Sequence, residues 1–91
     1  MEAQLTRHIT SDAPRVLTVD GSKVTRRMIE QILKAALPNA TVLSCETGQE
    51  AKQQLESGVV DLVTTALTLP DMDGAQVAQY AREQAPQAYI P

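Results

Sequence analysis

The feature that most constrains the fold is a regular alternation of short β-rich runs with helical segments. The runs are RVLTV at 15–19, TVLSC at 41–45 and VVDLVTTAL at 59–67. Strands that alternate with helices predict parallel pairing, because each helix serves as the crossover between two strands. Strands that are apolar almost throughout also favour a sheet covered on both faces. The sequence therefore predicts an α/β fold in the order β-α-β-α-β-α.

The first helical segment, SKVTRRMIEQILKAALP, has the clearest amphipathic pattern. Ser22 is the candidate N-cap, and Pro38 with Asn39 ends the helix. We expect Met28 to fill the core from this helix. The apolar residues predicted to share one helical face are Val24, Met28, Ile29, Ile32, Leu33, Ala36 and Leu37.

The two later helices are shorter. Thr47 with Glu50 forms a capping-box pattern, and Gly58 is a natural stop. The apolar face of this second helix is narrow, which predicts a surface position, and it consists of Ala51 and Leu55. The third helix, AQVAQYAREQ, is ended by Pro86. Its side chains expected to face the core are Val77, Tyr80 and Ala81. AYIP at 88–91 is typical of the start of a fourth strand.

Composition excludes several classes of protein. The chain has 91 residues, which suits one domain, and its net charge is −3. It contains no Phe or Trp, so no aromatic platform for nucleic-acid bases is expected.

The densest basic group is Lys23, Arg26 and Arg27. Such a group is typical of a solvated helix face, and the alternative is a docking patch for an acidic partner.

The potentially reactive side chains are few. Cys45 is the single cysteine and is predicted to be a buried, inert thiol, since it has no partner for a disulfide or a zinc cluster. The one histidine, His8, lies in the polar segment 1–14, which is predicted to be a flexible N-terminal tail. No segment has the length and apolarity of a membrane span or a signal core, so a cytoplasmic location is expected.

If the chain has a site, it lies at the carboxyl ends of the strands. Ligands of parallel α/β sheets bind outside this edge. The residues that follow the first and third predicted strands there are Asp20, Gly21, Ala66 and Thr68.

Three segments in order, RVLTVDGS, the helix after it, and DLVTTALTLPDMDG, resemble the receiver domain of bacterial two-component response regulators. The resemblance extends from Arg15 to Pro91, and the turn PDMDG is its closest match. It implies a flavodoxin-like or receiver-like parallel sheet with helices on both faces, built as (βα)3 plus the start of a fourth strand. Residues 15–91 are then the N-terminal part of a receiver-like domain, truncated before its last strands and helices.

The resemblance also shows where this chain departs from the family. In receiver domains, two acids after the first strand and an aspartate at the end of the third hold Mg²⁺, and that aspartate accepts the phosphoryl group. Here Asp20 keeps the first acid, Gly21 stands at the second, and Ala66 stands at the acceptor. Thr68 matches the position that offers a backbone carbonyl. The resemblance therefore implies a degenerate acidic pocket without catalytic residues, with Mg²⁺ binding lost or weak and no other cofactor.

Nearby acids have plainer interpretations. Asp20 is as well suited to capping the first helix, and Asp71 and Asp73 are typical turn residues that bond their own backbone. To make Asp71 or Asp73 the acceptor, the turn would have to become strand.

These residues predict a non-phosphorylatable signalling domain that is not an enzyme. We expect it to bind protein partners, to self-associate as a dimer, or to regulate an output domain C-terminal to it, without nucleic acid or membrane as partner. The alternative is a receiver that still responds to phosphate or Mg²⁺ through Asp20. A flavodoxin-like nucleotide binder or enzyme is least favoured, because neither G-x-G-x-x-G nor a P-loop motif is present.

Overall fold

The computed structural model of the protein describes residues 13–84. The elements follow the predicted order, and their bounds are β1 (Arg15–Val19), α1 (Lys23–Ala36), β2 (Thr41–Cys45), α2 (Gly48–Ser57), β3 (Leu62–Thr65) and α3 (Gly74–Gln84). Residues 1–12 of the predicted tail (1–14), with His8, and the predicted fourth strand lie outside the described residues. Pro14 is buried and its carbonyl accepts the Thr41 N–H at 2.9 Å, so the end of the predicted tail is part of the fold. Among residues 13–84, no helix is long and apolar enough to cross a bilayer.

The three strands form one parallel sheet in the order β2-β1-β3. Arg15 on β1 pairs with Thr41 on β2, and Val16 pairs with Leu62 on β3. Because β1 pairs in parallel with both β2 and β3, the carboxyl ends of all three strands lie at the same edge of the sheet. The predicted α/β class with parallel pairing is confirmed.

Helices cover both faces of the sheet, as predicted. On one face, Leu17, Val19 and Val63 pack against buried residues of α2 and α3, which are Ala51, Leu55, Val77 and Ala81. On the other face, Val16 and Leu62 pack against Leu33 of α1. The alternation of side chains along each strand sends neighbouring residues to these two separate clusters.

The prediction that one apolar face of α1 packs inward was only half right. Leu33 is buried and Ile29 and Leu37 pack beside it, but Val24, Met28 and Ile32 are exposed. The apolar residues of α1 form two adjacent rows, and a helix can seat only one such row centrally on the sheet. Met28 is therefore not a core residue; it is 57% exposed.

The third strand is shorter than predicted, at 62–65 instead of 59–67. Its start is fixed by Asp61, whose backbone N–H donates to the Arg15 carbonyl at 2.8 Å while its carboxylate accepts from the Arg15 N–H at 2.8 Å. Val59 and Leu67 lie beyond the reach of β1 and are exposed. The length of β1, and not the apolar pattern, decides where β3 ends.

The helix starts agree with the predicted caps. The Ser22 hydroxyl accepts from the Thr25 N–H at 3.3 Å, and the Thr47 hydroxyl accepts from the Glu50 N–H at 3.2 Å. The second capping pattern differs in its return bond, because the Glu50 carboxylate accepts from the N–H of Glu46, at 3.1 Å, and not from that of Thr47. Each cap satisfies donors that have no partner inside the helix.

Candidate functional site: the carboxyl edge of the sheet

The structure brings the predicted site residues to one edge of the sheet. The Asp20 N–H, directly after β1, donates to the Cys45 carbonyl at the end of β2 at 3.0 Å. The Ala66 N–H, directly after β3, donates to the Val19 carbonyl at the end of β1 at 2.8 Å. Asp20, Gly21 and Ala66 therefore lie where three parallel strands end together.

Asp20 is engaged in the local structure of the α1 start. Its Oδ1 accepts the Ser22 N–H at 2.8 Å, which forms an Asx turn before the helix. The Arg26 guanidinium donates to the Asp20 backbone carbonyl at 2.7 Å. The interpretation of Asp20 as a residue that accepts a backbone N–H near α1 agrees with this geometry.

Gly21 lies against the ring of Pro70 from the loop after β3. A Cβ placed on Gly21 would come 3.3 Å from the Pro70 Cδ and 3.4 Å from its Cγ. A side chain at this position is tight but requires only a small shift of the ring. The position that the resemblance assigns to a second acid therefore directly adjoins the PDMDG turn.

Ala66 is held tightly between β3 and α3. A Cβ on Gly74 would overlap the Ala66 carbonyl oxygen, so only glycine permits this approach of the α3 start to the strand end. The Gly74 N–H also donates to the Leu67 carbonyl at 2.8 Å. The Thr65 hydroxyl donates to the Ala66 carbonyl at 3.0 Å. The Ala66 backbone is thus fixed, and its side chain is a single methyl group.

Thr68 lies in the loop after β3, beyond Ala66 and Leu67, and is exposed. It forms an isolated antiparallel bridge with Asp73. The bonds of this bridge run from the Leu69 N–H to the Met72 carbonyl at 3.0 Å and from the Gly74 N–H to the Leu67 carbonyl. The bridge therefore does not use the Thr68 carbonyl.

The acids of the PDMDG turn have structural partners. The Asp73 carboxylate accepts the Gln76 N–H at 2.9 Å, and the Gln76 side chain accepts the Asp73 N–H at 3.3 Å, so Asp73 caps α3. Asp71 instead reaches another element. Its two carboxylate oxygens accept the N–H groups of Gly48 and Gln49 at 2.8 and 2.9 Å, at the start of α2.

The hydrogen bond from Gly48 is the largest of the effects that lower the pKa of Asp71 below its ordinary value, and the bond from Gln49 acts in the same direction. A hydrogen bond from its own backbone also lowers the pKa of Asp71, in agreement with the predicted turn role, whereas its role at the start of α2 was not predicted. Asp71 and Gln49 are 22 residues apart, and no local motif joins them. Only the approach of the α2 start to the β3–α3 loop brings them together.

Cys45 is buried at the end of β2, as predicted. Burial raises the pKa of its thiol to about 11, with a further contribution from the charge of Glu50, while Arg26 opposes the shift. A thiol with this pKa is a poor nucleophile near neutral pH. Among the described residues, no group of three or more His, Cys, Asp or Glu side chains is arranged to hold a metal ion.

A shallow groove lies between α2 and α3, away from Asp20 and Gly21. The Lys52 ammonium stands 5.3 Å from the centroid of the Tyr80 ring. The Tyr80 hydroxyl donates to the Glu56 carboxylate, and this bond raises the pKa of Tyr80. Tyr80 is half-buried, so it joins the two helices and is not a free reactive group.

Comparison with known proteins decides the family. The family model of the response regulator receiver domain matches residues 16–90. This chain belongs to the receiver domain family. It is therefore a receiver domain of the kind used in two-component signal transduction, as the three sequence segments predicted.

Individual relatives agree with this family. The chain is 34% identical over 80 residues to the chemotaxis protein CheY of Bacillus subtilis, covering 86% of this chain and 64% of CheY. The signal receiver domain of an HD domain-containing protein from Pseudomonas fluorescens superposes with a TM-score of 0.78 at 29% identity, covering 90% of this chain and 59% of that one.

The response regulator TrrA of Thermotoga maritima, solved in complex with Mg²⁺ and BeF, superposes with a TM-score of 0.75 at 28% identity. That match covers 85% of this chain and 65% of TrrA. Across the curated relatives it matches, the chain spans between 8% and 64% of their length.

Proposed function

We propose that this receiver domain does not accept a phosphoryl group and acts in signalling through contacts with other proteins. The observation that carries the proposal is Ala66 at the end of β3. Phosphoryl transfer to a receiver needs a carboxylate nucleophile there, and a methyl group has no atom that can attack phosphorus.

The surroundings of Ala66 support the proposal. A magnesium ion needs near-octahedral oxygen ligands. These usually include one or two carboxylates of the protein together with phosphate oxygens of the substrate. Asp20 supplies one carboxylate, already engaged by the Ser22 N–H, and Gly21 supplies no side-chain oxygen. Asp71 and Asp73 cap α2 and α3. The residues at this edge therefore do not fit a Mg²⁺ site of the kind that phosphoryl transfer requires.

A domain of this kind regulates by docking. Its partner is a protein, a second copy, or an output domain in a longer chain, and the input is something other than phosphorylation at this edge. We propose a cytoplasmic location, because a reducing compartment suits the free, buried thiol of Cys45.

The test is an NMR titration of the 91-residue chain with Mg²⁺ and beryllofluoride, which mimics a phosphoryl group on an aspartate. We expect no saturable shifts at Gly21, Ala66 or Thr68 in the wild type. The matched variants are A66D and the double variant G21D/A66D, which return carboxylates to the two positions. We expect the double variant to gain a saturable response to Mg²⁺, because the Pro70 ring needs to move only slightly to admit the Asp side chain.

A66N is the control, since it adds the same volume without a charge. A saturable response of the wild type at these residues would overturn the proposal. If D20N then abolished that response, the result would favour a receiver that still reads phosphate or Mg²⁺ through Asp20.

A further inference from the structure

The chain contains two Asp-Gly steps, and both lie in connections that leave the carboxyl ends of strands. Asp20-Gly21 follows β1, and Asp73-Gly74 leads from the loop after β3 into α3. At an Asp-Gly step the side-chain carboxyl group can react with the backbone nitrogen, because glycine has no side chain to obstruct the ring that forms and bends freely. The two steps have the same residues, so a difference in their reactivity comes from the fold.

The backbone amide of Gly21 is available for this reaction. Among residues 13–84, no acceptor contacts the Gly21 N–H. Asp20 and Gly21 are both partly accessible to solvent, so water can leave this step and return to it.

Two contacts prepare the Asp20-Gly21 peptide group. The Arg26 guanidinium donates to the Asp20 carbonyl at 2.7 Å. That oxygen and the Gly21 nitrogen belong to one peptide group, so the positive charge stabilises the negative charge that develops as the N–H loses its proton. The Ser22 N–H donates to Oδ1 of Asp20 at 2.8 Å, which folds the carboxyl group back along the Gly21 backbone and draws electron density from its carbon.

The second Asp-Gly step has the opposite environment. The Gly74 N–H donates to the Leu67 carbonyl at 2.8 Å, so its nitrogen is already engaged. The Asp73 carboxylate accepts the Gln76 N–H at 2.9 Å as the cap of α3. The Gly74 backbone is also packed against the Ala66 carbonyl. Reaction at this step therefore requires the start of α3 to open first.

We propose that Asp20-Gly21 is a site of spontaneous covalent modification, at which the folded chain forms a succinimide and then isoaspartate. The Gly21 nitrogen bonds to Cγ of Asp20. One carboxylate oxygen leaves as water and carries with it the proton of the N–H and one proton from solvent. Water then adds to one of the two ring carbonyls and breaks the bond of that carbonyl to nitrogen. Water is the one reactant that the two steps require.

Arg26 also directs the second step. The ring carbonyl that derives from the Asp20 backbone is the one whose oxygen the guanidinium contacts, and polarisation of this carbonyl favours addition of water there. Opening at this position connects the chain through the Asp20 side chain, which lengthens the backbone by one methylene and leaves a free α-carboxylate. The product therefore loses the Asx turn before α1.

This modification is independent of the proposed function. Gly21 connects the two, because the glycine that supplies no side-chain oxygen to the pocket also creates the reactive step. A side chain there would come close to the Pro70 ring and would obstruct the formation of the succinimide.

The test is storage of the folded 91-residue chain at physiological pH and temperature, followed by trypsin digestion and mass spectrometry. Trypsin releases the two Asp-Gly steps in separate peptides, 16–23 and 53–82. The succinimide is lighter than either acid by one water, and electron-transfer fragmentation distinguishes isoaspartate from aspartate. We expect isoaspartate to form about tenfold faster at Asp20 than at Asp73, because α3 must open before Asp73 reacts. In urea, Asp73 should accelerate and Asp20 should not.

Matched variants test the contacts at the reactive step. We expect Arg26→Gln to slow the reaction at Asp20 about tenfold, the scale of one charge-assisted hydrogen bond, and to lower the fraction of isoaspartate in the product. Arg27→Gln removes the neighbouring exposed charge of α1 and should leave the rate unchanged. Arg26→Lys keeps a cation and should retain part of the rate, while Gly21→Ala should abolish the reaction. Urea unfolding of each variant checks that the fold is intact.

Three results would contradict this assignment. The first is equal formation of isoaspartate at Asp20 and Asp73 in the folded chain, since the fold would then not distinguish the two steps. The second is an equal rate in Arg26→Gln and Arg27→Gln, which would remove the role of the guanidinium. The third is a rate at Asp20 that rises in urea, because the turn before α1 would then protect this step and not prepare it.

Discussion

Gly74 shows at the scale of one residue how the turn after β3 is built. It is the first residue of α3, and a Cβ there would overlap the carbonyl oxygen of Ala66, directly after β3. The obstacle is backbone, which is itself held by the Thr65 hydroxyl, so it cannot move aside cheaply. The glycine is therefore required by a close approach and not by its backbone angle, since no glycine among residues 13–84 has a positive φ.

We expect Gly74→Ala to destabilise the chain by about 1–3 kcal/mol, the range for forcing extra volume into a packed site. Gly58→Ala is the matched control, because its Cβ would meet only the end of the Arg15 side chain, which can swing away. That change should cost less than about 1 kcal/mol. Urea unfolding followed by circular dichroism measures both, and equal costs would contradict the argument.

A pair of threonines provides the polar contact inside the sheet. Thr18 is fully buried on β1, and its hydroxyl accepts from the Thr64 hydroxyl on β3 at 2.9 Å. Thr64 is only half-buried, so its hydroxyl has water as an alternative partner. The cost of breaking the pair therefore depends on which hydroxyl is left behind.

We expect Thr64→Val to cost about 1–3 kcal/mol, because it leaves the buried Thr18 hydroxyl without this donor. Thr18→Val should cost less, and the double variant should be close to the wild type, since no buried hydroxyl then remains. The free energies of unfolding of the four proteins form a double-mutant cycle. Additive effects of the two single changes would show that the hydroxyls do not depend on each other.

At the scale of elements, Asp71 links two helices that are far apart in sequence. It lies in the loop before α3 and accepts two N–H groups at the start of α2. The N-terminus of a helix favours a negative charge, both through these unpaired donors and through the helix dipole. The loop after β3 and the start of α2 are therefore held as one unit next to the strand ends.

This link makes stability depend on pH. The pKa of Asp71 is lower in the folded chain than in the unfolded one, chiefly through the Gly48 hydrogen bond, so its contribution is complete above the unfolded pKa of about 3.9 and is lost as the pH falls through the folded pKa. We expect D71N to be less stable than the wild type at pH 6 and the two to converge in acid. E83Q removes one exposed charge as a control, and urea unfolding at several pH values compares the three. A constant difference between D71N and the wild type would contradict this cause.

At the scale of the whole molecule, β3 is one of the two edge strands of the described sheet. Its outer edge has no strand beside it among residues 13–84. Leu62 and Val63 are fully buried against the helices on the two faces of the sheet, so this edge strand is apolar. The other edge, β2, carries the exposed polar residues Thr41 and Ser44. An apolar edge strand such as β3 pairs readily with a strand of another chain.

We therefore expect concentration-dependent self-association of the 91-residue chain through β3. Thr65→Lys should reduce it, because a lysine on an edge strand opposes pairing, whereas Thr41→Lys on β2 should have little effect. Sedimentation velocity over a range of concentrations measures the change. A chain that stays monomeric at the highest concentration, or equal effects of the two lysines, would rule out this edge as the contact.

The chain by itself determined the class of fold and the content of the site. Alternating apolar runs and helical periods predicted the order of elements and the parallel sheet, since both depend on local periodicity. Asp20, Gly21 and Ala66 were assigned to the same edge from their positions after strands. That residue 66 is an alanine can also be read directly from the sequence, and the resemblance to receiver domains implies from it that the acceptor carboxylate is missing.

Only the tertiary structure decided the relations between elements. It showed that the apolar residues of α1 divide into a buried row and an exposed row, that β3 ends where β1 ends, and that Asp71 caps α2. None of these three features follows from periodicity, because each depends on which other element of the fold packs against the residues concerned. The sequence specifies which side chains are available, and the packing of the sheet and its helices decides which of them are used.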